Sequence, residues 1–161
     1  MTNLLIDAIK NRVEKVIQEG VEVPSPPEDE ISTELILVRP TIFKGYLPPK
    51  SAPDRDKPPE FPHIIIRPAE GSMQPDINLV QVKFLLGGFS EDATGYEWLM
   101  TVLDRLSLNF QEYPVFDMQY AFQNDLRWKL FDDQPYPFWV LEVVGSWSVI
   151  KPQNIQFQED L

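Results

Sequence analysis

Few side chains in this sequence have the type and spacing that chemistry needs. His63 is the only histidine among 161 residues, and it opens the run His63-Ile64-Ile65-Ile66 with no acid or nucleophile beside it. General-base work requires a positioned partner and a hydrolytic triad a nucleophile as well, so this histidine reads as structural. Pro75-Asp76 followed by Gln81-Val82-Lys83 has the residue types of a metal-dependent nuclease, in which carboxylates hold magnesium and a lysine steadies the attacking water. Asp76 and Lys83 stand seven apart, an odd separation that places them on opposite faces of one strand, and only a bulge reunites them. Asp132-Asp133 is a carboxylate pair, but Pro135 and Pro137 beside it make it turn chemistry. Gly87-Gly88 lacks the lysine and threonine of a phosphate loop and opens no GxGxxG pattern, so it reads as the end of a strand. The absence of cysteine removes thiolate catalysis, thiolate zinc sites and disulfides, and is compatible with a reducing cytoplasm. No catalytic, metal-binding or cofactor-binding residue is expected, and no cofactor.

The elements that would position any site are clearer. Leu4, Leu5, Ala8, Ile9, Val13, Val16 and Ile17 recur at helical spacing and predict a helix over Asn3 to Glu19, capped by Thr2 or Asn3 and ended by Gly20. Its apolar side is interrupted by Asp7, Lys10, Arg12, Glu14 and Lys15, so it is neither a leader nor a membrane segment. Glu34 to Val38 predicts a strand entering the sheet. Strands follow over His63 to Ile66 and Ile77 to Leu86, the latter with Val80, Val82, Phe84 and Leu86 on one face and Ile77, Leu79, Gln81, Lys83 and Leu85 on the other. Tyr96, Leu99, Leu103, Leu106 and Phe110 predict a second helix, entered through Ser90 to Asp92 or a Thr94/Glu97 capping box. Val115 to Phe122, Asp125 to Phe131 and Phe138 to Ile150 read as three consecutive antiparallel strands. In the last, Trp139, Leu141, Val143, Trp147 and Val149 share a face with Gly145, where a bulge or a close approach is expected. The strand face and the second helix stripe are the two largest apolar surfaces and should cover each other. The expected fold is a single α+β domain over 1–161: a mixed, mostly antiparallel sheet packed by an N-terminal and a central helix, with a loose tail over 151–161.

Between Pro24 and Pro75 lie 12 of the 16 prolines, densest from Pro40 to Pro62. Proline fixes φ, lacks an amide donor and holds its predecessor extended, so 40–62 is expected to be a projecting arm without central strand or helix. Phe43, Tyr46, Leu47, Lys50 and Arg55 are its candidate subunit or partner contacts, since a purely solvated linker has little use for apolar groups.

The net charge of -11 argues against a protein that grips nucleic acid, because the basic residues form neither a run nor a stripe. It fits either plain solubility or a surface past which DNA must slide without adhering.

The helix over 1–20, the segment FPHIIIRPAEG, the run VQVKFLLGGF followed by SEDATGYEWLMTVLDRL, and RWKLFDDQPYPFWVLEVVGSWSV together resemble the tail terminator or tail completion proteins of long-tailed phages and prophages of Gram-positive bacteria. The proline-rich arm matches least. The resemblance implies a structural virion protein and no enzyme: a homo-hexameric ring that caps the tail tube, ends its polymerisation, meets the major tail tube protein and the head-tail connector, and lets DNA pass without specific binding. It implies assembly in the bacterial host cytoplasm, residence in the virion tail and no membrane partner. A neck or head-to-tail joining protein is the alternative of the same class, and a metal-dependent nuclease using Asp76 and Lys83 is the alternative of another.

Overall fold

The apolar spacing of the first twenty residues folds as helix α1, Thr2–Gln18, in the computed structural model, which describes residues 1–27, 34–49 and 60–150. Leu5, Ala8, Ile9, Val13, Val16 and Ile17 are buried along one side. Neither Thr2 nor Asn3 caps it. The cap position is Met1, and no side chain bonds to the first turn. Gly20 ends it in a left-handed conformation at φ 122°, and the amides of Gly20 and Val21 both donate to the Ile17 carbonyl, at 3.2 and 3.1 Å.

The strands β1 (Val23–Pro24) and β2 (Leu37–Val38) form a small antiparallel ribbon of their own. Glu34 to Val38 therefore does not enter the main sheet as expected. Pro24 on one side and Pro40 just beyond the other have no amide to donate, which keeps the ribbon to two residues a side.

The main sheet has seven strands in the order β3, β4, β5, β9, β7, β6, with β8 also on β9. They are β3 (Thr41–Lys44), β4 (His63–Met73), β5 (Ile77–Phe89), β6 (Val115–Phe116), β7 (Tyr120–Phe122), β8 (Arg127–Leu130) and β9 (Phe138–Ile150). All neighbours are antiparallel except β3 and β4. The described residues thus form an α+β fold with two helices and a mostly antiparallel sheet.

Four strand expectations need correction. Thr41 to Lys44, expected within an irregular arm, is an edge strand, which proline-poor TIFK permits between Pro40 and Pro48. β4 does not stop at Ile66. It continues past Pro68, where Ala69 is an extra residue between the Pro68–Val82 and Glu70–Gln81 pairs, so the proline lies at a bulge on an open edge. β5 runs through Gly87-Gly88 to Phe89. At Gly87 a Cβ would run into the His63 imidazole and the Phe61 ring, so this glycine makes room for side chains and does not end the strand. Val115 to Phe122 is a hairpin, turned at Asp117 and Met118 with φ of 49° and 59° and closed by the Gln119 amide donating to the Phe116 carbonyl at 3.1 Å.

Helix α2, Tyr96–Glu112, begins later than Ser90 and uses no capping box, since Gly95 is its cap residue and no side chain caps it. Both helices supply buried residues to one core, and they share it with one face of the sheet: Ile64, Ile66, Val80, Val82, Phe84, Leu86, Leu141, Val143, Trp147 and Val149. Arg12 ties α1 to the far end of α2. Its guanidinium lies 4.0 Å from the Phe116 ring centroid and donates to Asn109 Oδ1 at 3.2 Å and to the Tyr113 carbonyl at 2.8 Å.

Gly145 is in regular register with Val82, so it marks no bulge. It is a close approach. A Cβ there would stand 2.7 Å from Leu126 Cδ2 and 3.1 Å from the Trp147 ring. At this point the partner of β9 changes from β7 to β8, and the Asp125 carboxylate replaces the missing ladder by accepting from the Ser146 amide at 2.9 Å, while the Gln123 amide donates to the Ser146 carbonyl at 2.9 Å.

Candidate functional site

Strand alternation gives the sheet a second face, opposite the helices, that carries Ile65, Arg67, Gln81, Lys83, Leu85, Val140, Glu142 and Val144. None of these belongs to the main core cluster. Lys83 Nζ and Glu142 Oε1 pair across it at 2.7 Å. A shallow groove of about 330 Å³ crosses this face, lined among others by Glu70, Lys83, Arg127, Lys129 and Glu142. At one end, Phe61, His63, Phe138 and Phe89 form a chain of rings with centroids 4.6 to 5.6 Å apart.

The sheet also has free edges. β3 covers β4 only from His63 to Ile66. Gly45, at φ 87°, turns the chain away, its amide donating to the Ile66 carbonyl at 2.8 Å. From Pro68 to Met73 every residue is exposed, and among the described residues no strand pairs with the outer side of this segment. On the opposite side of the sheet, β8 pairs only with β9 among the described residues. Such rows of unpaired amides and carbonyls are templates for another strand.

Of the residues the sequence singles out as contacts, Phe43 lies on β3 opposite Ile65, half-buried. Tyr46 is 73% exposed, and its ring lies 4.4 Å from the Arg67 guanidinium. Leu47 follows as an exposed residue. Lys50 and Arg55 lie outside the described residues, as do the rest of 50–59 in the arm and the tail over 151–161. The structure thus groups Phe43, Tyr46 and Leu47 at one margin of the sheet. Sequence reasoning misses Trp128, 55% exposed on β8, because an apolar residue within a strand pattern reads as core.

The groups weighed for chemistry are not brought together. Asp76 lies in the turn before β5 and Lys83 midway along it; the strand has no bulge of its own, so about 3.3 Å of rise per residue separates them by roughly 20 Å. Asp132 and Asp133 lie in a loop organised by Gln134, whose side chain donates to the Phe131 carbonyl at 2.8 Å and accepts from the Val140 amide at 2.8 Å. Among the described residues no group of three His, Asp or Glu side chains is placed to hold a metal ion, and no helix is long and apolar enough to cross a membrane.

His63 is buried, with Nδ1–H donating to the Glu60 carbonyl at 2.6 Å. Burial lowers its pKa from the ordinary 6.5, and the hydrogen bond offsets part of that. A depressed folded pKa means that the unfolded chain binds the proton first. Its contribution is therefore complete above 6.5 and is lost as pH falls below that value. Urea midpoints measured from about pH 7.5 down to 5.5 should fall, and His63→Gln should flatten that slope. An unchanged slope in the variant would exclude His63 as its source.

Comparison with known proteins leaves the geometry to stand alone: no family model matches the chain, and no curated protein matches it.

Proposed function

We propose that the chain is a structural component of a phage tail, forming a ring that caps the tail tube, ends its growth and offers a face to the head connector. One observation carries the reading in physical terms: among the described residues the sheet has an unpaired edge on each of its two sides, and closed cyclic assembly repeats one head-to-tail contact between two different surfaces of the same chain. The resemblance of the four sequence segments supports a six-membered ring and the tail as its place. Exposed Tyr46 and Leu47, just beyond β3, offer a contact for a neighbouring subunit or the tube. Six copies carry a charge of six times -11, about -66, around a channel for DNA, and like charge keeps the polymer from adhering.

Light scattering of the purified protein, alone and with tail tubes, tests this. Rings of six times 18.7 kDa, about 112 kDa, are expected, free or bound to tube ends. A strict monomer that never binds tubes would sink the proposal.

A further inference from the structure

We infer that the subunit contact is made by strand addition, the outer edge of β8 in one copy pairing antiparallel with Glu70–Met73 of β4 in the next. This rests on the chain being a ring former. Beyond the bulge at Ala69, β4 is regular over Glu70 to Met73, four residues with a free outer edge among the described residues. β8 is also four residues long, with Arg127, Trp128 and Lys129 exposed. Pro68 and the bulge block pairing further back along β4, which restricts where a strand can add.

The faces match as well. Glu70 and Ser72 pair with Gln81 and Leu79 on the open face, and Arg127 and Lys129 pair with Val144 and Glu142 on that same face. A continued sheet keeps its faces, so Glu70 meets Lys129 and Ser72 meets Arg127. On the core face this register sets Trp128 against Gly71, where an aromatic side chain covers a glycine that has nothing of its own to pack. Beside Gly71 is a groove of about 370 Å³ lined by Thr2, Pro68, Met73, Asn78 and Val80 among others. Within it Asn78 Oδ1 is buried and accepts no hydrogen bond among the described residues. The indole N–H of an incoming Trp128 is a donor of the reach this acceptor needs. The two edges lie on opposite sides of one sheet, so each addition leaves the same pair of edges free and the contact repeats until the ring closes.

The chain contains no cysteine, so introduced thiols report without background. Ser72→Cys and Arg127→Cys, made singly, should not cross-link alone on oxidation with tail tubes present, should form covalent dimers when mixed, and as a double variant should give a ladder ending at the closed ring. Cross-strand neighbours bring Cβ atoms to about 4.5 to 5.5 Å, close enough for a disulfide after slight adjustment. In parallel, Glu70→Lys should weaken association about tenfold or more, and Lys129→Glu in the same chain should restore it. Rings that form by light scattering without these cross-links would overturn the strand contact and leave the ring reading standing. Cross-linking of Ser72→Cys alone would also overturn it, in favour of β4 on β4. Absence of both rings and cross-links would overturn both proposals.

Discussion

Trp147→Ala is expected to cost about 3 to 5 kcal/mol, against a total stability of about 5 to 15 kcal/mol for a domain of this kind. Trp147 is fully buried, and its ring lies 5.0 Å from Phe122, 5.6 Å from Phe110, 5.8 Å from Phe116 and 5.9 Å from Phe84 between centroids. It therefore joins β9 to β5, β6, β7 and α2 at once, and truncation leaves a cavity whose walls belong to five elements that cannot all relax inward. Its indole nitrogen is buried without a partner among the described residues. Trp147→Phe removes that unsatisfied donor while keeping an aromatic ring, so its cost should be about 1 to 2 kcal/mol. Urea denaturation measures both, and equal midpoints for the two variants would refute this account of the site.

Leu103→Ala should cost about 2 to 5 kcal/mol, because Leu103 is buried on the α2 stripe in the same cluster as Leu141 and Val143. Trp139→Ala should cost less, although the sequence places Trp139 in the same apolar row. Trp139 is half-buried at the sheet's end, 6.4 Å from the Tyr96 and Tyr136 rings, and its indole N–H donates to the Ser90 carbonyl at 3.0 Å. Part of that ring already faces water, so about 1 to 3 kcal/mol is expected from lost packing and one hydrogen bond. A Trp139→Ala variant less stable than Leu103→Ala would reverse the assignment of centre and rim.

Elements with long, unbroken periodicity were legible from the residues alone. β9 has the bounds that its alternation predicts, and α1 differs by about a residue at each end. What failed to read were places where a breaker residue serves packing. Gly87 seats the His63 ring inside a strand, and Pro68 stands at a bulge on a free edge, so neither ends its element. The Asp117-Met118 turn was hidden because neither residue is glycine or asparagine, and the long-range pairing of β7 with β9 holds the hairpin in place.

The candidate site was legible only in part. The residues single out Phe43, Tyr46 and Leu47 as contacts of a projecting arm, since their cost in water needs a reason, whereas Phe43 lies on the edge strand β3 with Tyr46 and Leu47 just beyond it. The free edges of β4 and β8 could not be read, because whether an edge is covered depends on which strands pair over long range and not on any local pattern. The partners of Arg12, which reach α2 and β6 from the first helix, were hidden for the same reason.

The most direct measurement is tail length by negative-stain electron microscopy in a phage that depends on this protein, with the gene intact, deleted and restored. Deletion should give tails of irregular length that fail to join heads, and restoration should return uniform tails with a ring at the head-proximal end. Tails of normal length made without the protein would contradict the proposed role as tail terminator, whatever rings the purified chain forms.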